Sequence, residues 1–314
     1  MNPETMSRNS TKSKVGFIGL GAMGLPMAKR IVGAGYKLCT TFHRRREPAD
    51  ELHAMGAEVV STPQDVAKEA DVVITILPAD AGLREVVFGP AGILKTFTAG
   101  KLLIEMTTGT ALAMQEIAHA IGSVGGDTLD APVSGGTPAA AQGTLTIMAG
   151  GDAAVLESCR PLLETMGTRI VHVGPVGQGK IVKIVNQMMA AIHLVAIGES
   201  FALGIKCGAD PKILYEVIKD SSGYSKMMDL RLPGFLFEGS FLPGFKLDLM
   251  KKDVNLAIDS ARAVGIPLHL SSEVAQVLAA ASAAGKGNED FSAAAQFSAG
   301  LSGVQLSATK DKSA

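Results

Sequence analysis

The sequence predicts an α/β protein of two domains: a doubly wound parallel sheet, then an all-α domain joined to it by a long interdomain helix. Three observations predict this. From residue 14 to about 175, short Val/Ile/Leu-rich runs alternate with helix-spaced segments, and continuous apolar runs are what strands buried on both faces look like. The first of these runs ends in a glycine-rich turn that leads into a helical segment. Beyond residue 176 the runs lengthen, become alanine-rich and lose any two-residue alternation.

Taken in order, "KVGFIGL" is the first strand, and "MGLPMAKRIVGAG" follows it as a helix. "KLCTTFH" is the second strand and "ADVVITILP" a later one. "KLLIEMTT" and "GDTLDAPV" continue the series, with the helix "ALAMQEIAHAIGSVG" between them. "TLTIMAGG" and "TRIVHVG" complete it. Both helices close on a glycine, which suits a left-handed C-cap. The helical part reads as 177 to 207, 211 to 220 after the Asp210-Pro211 start, about 246 to 264, and 271 to 284. These readings give a first domain over 13–176 and a second over 177–304. Polar tails are expected at 1–12, disordered, and at 305–314.

With 314 residues, 47% of them hydrophobic, the chain can bury a sizeable core. A formal net charge of -1 supplies no global field for nucleic acid or an acidic membrane surface. The absence of Trp and an aromatic content of 4% leave no stacking platform for single strands. Cys39, Cys159 and Cys207 are odd in number and lack CxxC spacing, which argues against a disulfide framework or a zinc site and for a reducing cytoplasm. The apolar stretch around 188 to 205 is interrupted by His193 and Glu199 and lies beside Lys183 and Asn186, so it reads as a buried helix, not a membrane span. His43, His53, His119, His172, His193 and His269 show no metal-ligand spacing.

"FIGLGAMG" matches GxGxxG as Gly19, Gly21 and Gly24, between a strand and a helix. In that context the loop of Gly19, Leu20, Gly21, Ala22, Met23 and Gly24 suits a dinucleotide pyrophosphate facing helix N-terminal amides. A ligandless glycine turn is the bland alternative. An acidic residue at the end of the second strand would favour NAD. The chain instead reads "TFHRRREP", placing His43, Arg44, Arg45 and Arg46 there. Guanidinium groups suit a phosphate monoester, so NADP is favoured, with NAD possible and a solvated basic turn the other reading.

Three further motifs carry chemistry. "DAPVSGG" sets Ser134 beside Gly135 and Gly136, either a small anion site for a carboxylate or an ordinary Ser/Gly turn. "GPVGQGKIVKIVNQ" puts Lys183 and Asn186 three apart on one helix face, in an oily run where Ile181, Val182, Ile184 and Val185 all call for burial. Lys180, one turn earlier, is the competing candidate. "GFKLDLMKKDVNLA" adds Lys246, Lys252 and Asp253.

In this order and from about residue 14 to 304, these residues resemble the β-hydroxyacid dehydrogenase family, whose members include 3-hydroxyisobutyrate dehydrogenase, tartronate semialdehyde reductase and 2-(hydroxymethyl)glutarate dehydrogenase. The resemblance implies a Rossmann domain, a helical domain that takes part in dimer or tetramer contacts, and no metal. It implies an oxidoreductase that interconverts a short 3-hydroxy acid and its semialdehyde, or reduces a small aldehyde such as glyoxylate or succinic semialdehyde. Lys183 is then the catalytic acid and base, Ser134, Gly135 and Gly136 the carboxylate grip, and Asn186 or Gln187 the amide beside it. Lys252 and Asp253 close the site, and Leu77, Pro78, Thr107, Thr108 and Lys252 join the glycine loop at the cofactor. An ammonium in a partly dry cleft gives up its proton more readily than one in water. The alternative is a lysine that snorkels or pairs structurally.

The chain departs from the pattern in places. Thr107, Thr108, Gly109, Thr110 and Ala111 stand where relatives commonly read Ser-Thr-Ile-Ser-Pro. Tyr224 stands where some relatives have a cation, with Lys226 and Arg231 nearby as replacements for a second substrate carboxylate. Two other readings share the fold. One is an imine reductase, against which Lys183 counts. The other is a silent cofactor-sensing or interaction protein, against which the intact Lys183, Ser134 and glycine loop count.

Overall fold

The computed structural model describes residues 13–307; the expected tail at 1–12, and residues 308–314 of the one expected at 305–314, lie outside them. The first part of the chain alternates strand and helix: β1 (Val15–Ile18), α1 (Gly24–Gly33), β2 (Leu38–Thr40), α2 (Glu47–Ala54), β3 (Glu58–Val59), α3 (Pro63–Glu69), β4 (Val72–Thr75) and α4 (Asp80–Phe88). It continues with β5 (Leu102–Glu105), α5 (Ala111–Ser123), β6 (Asp127–Asp130), β7 (Val133–Ser134), α6 (Gly136–Gln142), β8 (Leu145–Gly150), α7 (Ala153–Leu163) and β9 (Gly167–Gly174). Two compact units divide between Lys183 and Ile184, inside the long helix α8 (Gln178–Lys206).

The sheet of the first unit runs β3-β2-β1-β4-β5-β6-β8-β7, with β9 against β8. Pairing is parallel from β3 through to β6 and between β8 and β9. Contrary to a wholly parallel expectation, β8 meets β6 and β7 antiparallel. Pro132, which has no N–H to donate to a ladder, separates β6 from β7, so "GDTLDAPV" is two strands and not one. β1, β4 and β5 are buried at every residue, and the two-residue period divides them between two cores. Val15, Phe17, Ile74 and Ile104 join one; Ile18, Val73 and Leu103 join the other.

Strand order reverses between β1 and β4, which makes the space beyond their carboxyl ends the switch point of the sheet. Gly19 follows β1 there, and Leu77 and Pro78 follow β4.

The second unit is all helical, as expected. Besides its part of α8 it contains α9 (Pro211–Lys219), α10 (Lys226–Arg231), α11 (Leu247–Ala263), α12 (His269–Ala281) and α13 (Ala293–Gly300). Asp210 caps α9 by accepting from the N–H groups of Lys212 and Ile213 at 2.8 and 3.1 Å, and Pro211 occupies the first turn. Leu194, Phe201, Met228, Leu247, Val254 and Leu278 lie in one core. That core holds α8 as a packed helix, although its 29 residues have the length and composition of a membrane span. Packing continues into the segment expected to be a tail: Leu306 is buried and its N–H donates to Gln296 Oε1 at 2.9 Å.

Candidate active site

In the glycine turn after β1, each glycine meets a different constraint. Gly19 has φ +109°, and a Cβ on it would lie 2.1 Å from the Ile76 carbonyl oxygen. At Gly24 a Cβ would lie 1.8 Å from the Gly19 carbonyl oxygen, whereas at Gly21 it would meet nothing within 4 Å. The outer glycines are therefore required by packing, and the middle one faces open space, the arrangement through which a pyrophosphate reaches the backbone. Leu20, Ala22 and Met23 complete the turn, and no side chain caps α1.

Beyond β2, His43, Arg44 and Arg45 are exposed. Arg46 is engaged elsewhere, pairing with Asp50 at 3.1 Å and lying over the Phe42 ring at 5.2 Å. After β4, the Leu77 N–H donates to Thr107 Oγ1 at 2.9 Å. Thr107 is buried and Thr108 half-buried in the segment that follows β5.

Two buried carboxylates and a buried ammonium meet beyond the ends of β5 and β6; the sequence reading gave Glu105 no role, held Asp130 only as the first residue of the substrate loop, and held Lys180 only as the competitor of Lys183. The Lys180 side chain is 1% exposed and that of Glu105 is fully buried. Lys180 Nζ donates to the Glu105 carboxylate and to the Thr107 carbonyl, and lies 3.5 Å from the Glu105 carbonyl oxygen. The second carboxylate oxygen of Glu105 accepts from the Thr107 N–H at 2.8 Å. Asp130, the first residue of "DAPVSGG", accepts from the Gly177 and Lys180 N–H groups at 2.7 and 2.9 Å and so caps the start of α8. Burial pushes its carboxyl above the usual aspartate range, and those backbone N–H groups work against the rise. The available signal was an acidic residue at the carboxyl end of a strand, Glu105 after the apolar run of "LLIE" and Asp130 closing "DTLD".

Ser134, half-buried, ends β7 opposite Thr146, and Gly135 and Gly136 follow with φ +137° and +70°. On α8 the expected order of burial is partly inverted. Lys183 is 7% exposed and Ile184 is buried, but Val182 and Val185 are 38% and 45% exposed. The cause is helical phase: 100° per residue puts 182 and 185 on a different face from 183 and 184.

Within the second unit, four of the expected site residues come together. Asn186 Nδ2 donates to Gln187 Oε1 at 3.2 Å, and Gln187 Nε2 donates to Asp253 Oδ2 at 2.8 Å. Lys252 Nζ pairs with Asp253 Oδ1 at 2.9 Å. Tyr224 lies apart from these contacts, its hydroxyl donating to Asp229 Oδ2 while Tyr215 donates to Oδ1 of the same carboxylate. Lys246 reaches Asn288 Oδ1 at 2.9 Å. Arg231, considered for a second substrate carboxylate, is held instead between the Phe235 and Phe291 rings, 4.8 Å from each, and pairs with buried Asp290 at 3.2 Å. Lys226 is exposed. Among the described residues no cluster of three or more His, Cys, Asp or Glu comes together to hold a metal ion.

A family model described as the NAD binding domain of 6-phosphogluconate dehydrogenase matches residues 14–174. A second, described as NAD-binding of NADP-dependent 3-hydroxyisobutyrate dehydrogenase, matches residues 177–298. The 2-(hydroxymethyl)glutarate dehydrogenase of Eubacterium barkeri is 37% identical over 295 residues, covering 94% of this chain and 97% of that one. The 2-hydroxy-3-oxopropionate reductase of Escherichia coli strain K12 is 36% identical over 283 residues, covering 90% and 96%. A 3-hydroxyisobutyrate dehydrogenase from Mycobacterium tuberculosis, solved with L-serine, matches with a TM-score of 0.84 and 34% identity over 91% of this chain and 99% of that one.

Proposed function

The chain belongs to the β-hydroxyacid dehydrogenase family, and we propose on that premise that it interconverts a short 3-hydroxy carboxylic acid and its semialdehyde, with Lys183 as general acid and base. The observation that carries this reading is the buried Lys183 on α8, set in a chain that matches hydroxyacid dehydrogenases over almost all of its length.

The residues present fit a dinucleotide. The open space at Gly21 leaves room for a pyrophosphate at the start of α1, which no side chain caps. Gly19, Leu20, Gly21, Ala22, Met23 and Gly24 would hold that group. Leu77, Pro78, Thr107, Thr108 and Lys252 would hold the nicotinamide half. His43, Arg44 and Arg45 would face a phosphate on the adenosine ribose, which favours NADP over NAD. The bound nicotinamide supplies or accepts the hydride. In reduction Lys183 gives a proton to the carbonyl oxygen as it becomes an alkoxide, and in oxidation it takes the proton of the hydroxyl. Ser134, Gly135 and Gly136 would grip the substrate carboxylate, and Asn186 and Gln187, steadied by Asp253 and Lys252, would orient the reacting end. With Arg231 engaged by Asp290, Lys226 is what is left of the two cations expected for a second carboxylate, which favours a substrate with one. L-serine, bound by the solved relative, is a 3-hydroxy acid of that kind.

We place the protein in the cytoplasm as a homodimer or homotetramer. Cys39, Cys159 and Cys207 are free thiols, which suits a reducing compartment.

The test is turnover of NADPH and NADH with a panel of small aldehyde acids, cyclic imines serving as a control for reduction of C=N bonds. Lys183→Ala is expected to lower kcat by about 10²–10⁴-fold while NADPH binding is retained. Parental turnover in Lys183→Ala would overturn the lysine's role, and turnover of imines alone would overturn the substrate class.

A further inference from the structure

We propose that Glu105 and Lys180 are positioning residues for the reaction: their buried ion pair fixes the rotation of the first turn of α8 and with it the place of Lys183. This rests on the reading of Lys183 as the acid and base.

Lys180 lies three residues before Lys183 on one continuous helix, so a turn of the helix about its axis moves both side chains together. The Lys180 ammonium reaches the end of β5 and the residues after it: the Glu105 carboxylate, the Thr107 carbonyl and, at 3.5 Å, the Glu105 carbonyl. The same carboxylate takes the Thr107 N–H at 2.8 Å, and Thr107 Oγ1 takes the Leu77 N–H at 2.9 Å. One ion pair thereby ties α8 to the segments that follow β5 and β4, beside the switch point of the sheet.

Stability alone does not account for the pair. The start of α8 is already satisfied by Asp130 through the Gly177 and Lys180 amides. A buried ion pair is often no more stabilising than a well-packed apolar pair. What it adds is direction. Asp130 grips backbone amides and holds the helix end, whereas the Lys180 side chain, reaching from one face, sets which way the helix is turned.

The test is the neutral double variant Glu105→Gln with Lys180→Gln, because removing either residue alone strands a buried charge. Thermal melting and NADPH binding, followed by the fluorescence of NADPH itself, are measured beside steady-state kinetics on the semialdehyde that the parent enzyme reduces. The expected result is a folded protein whose kcat is lower by about 10- to 100-fold, as for an acid displaced by about 1 Å, a drop larger than any change in NADPH affinity or substrate KM. A folded double variant with parental kcat overturns the proposal. So does a parallel loss of melting temperature, cofactor affinity and kcat, which is the signature of a merely structural pair. If the Gln pair does not fold, Glu105→Leu with Lys180→Met carries the same comparison. Lys183→Ala in the parent background separates the two failures: if it keeps parental turnover the acid-base reading falls, and if it loses turnover while the double variant does not, only the positioning role falls.

Discussion

A buried charge needs partners, and the residues of the first unit show how differently three such charges, two at strand ends and one in the first turn of α8, are answered. Glu105 meets an ammonium, Asp130 meets backbone amides, and Lys180 meets a carboxylate and a carbonyl. Arg231 in the second unit is answered by a carboxylate and two ring faces, and burial holds its guanidinium below the ordinary arginine value. Arg44 and Arg45 contrast with it, because they are exposed. Arg44→Ala is expected to raise KM for NADPH by about tenfold or more, a charge-assisted hydrogen bond being worth about 1.5–3 kcal/mol, and to leave KM for NADH nearly unchanged. Parallel shifts in both KM values, measured side by side, would remove Arg44 as the selector.

At the scale of elements, the glycine turn separates packing from binding. Gly24→Ala forces a Cβ against the Gly19 backbone and is expected to lower the melting temperature by the amount that overpacking costs, about 1–3 kcal/mol, with cofactor binding lost as well. Gly21→Ala adds a methyl group where nothing stands within 4 Å. It is expected to melt like the parent and to bind NADPH more weakly, as read by fluorescence titration. A Gly21→Ala protein with full NADPH affinity would place the pyrophosphate elsewhere.

Elements differ in how legible they were. α9 was marked by Asp210-Pro211 and α8 by its length. α3 carried a signal that the reading passed over, since Thr62 and Asp65 cap each other across its first turn and Pro63 stands at its start. α6 carried almost none, being a seven-residue alanine-rich turn of helix with no apolar stripe. β3 and β7, two residues each, exist because neighbouring strands offer them partners. Local propensity does not foretell strands of that length.

For the whole molecule, the proposed dimer or tetramer would draw on what the chain leaves uncovered. Val182, Val185 and Met189 recur at helical spacing on α8, and all three are exposed. An apolar row on a helix face is where a second copy could pack. Light scattering on the purified protein is expected to give the mass of a dimer or tetramer, and Val185→Asp with Met189→Asp to reduce it. A monomeric parent would overturn the oligomer.

The sequence by itself determined the α/β class, the succession from sheet to all-helical domain, the glycine turn and the lysine on α8. Each of these is written in short-range spacing: a period of two, a period of 3.6, or glycines two and three apart. Tertiary structure alone decided that β8 runs against β6 and β7, that Arg231 belongs to Asp290, and that Lys180 finds Glu105. Lys180 and Glu105 lie 75 residues apart in the chain. No local period links residues so distant, and only the folded sheet, by setting the end of β5 beside the first turn of α8, makes one the partner of the other.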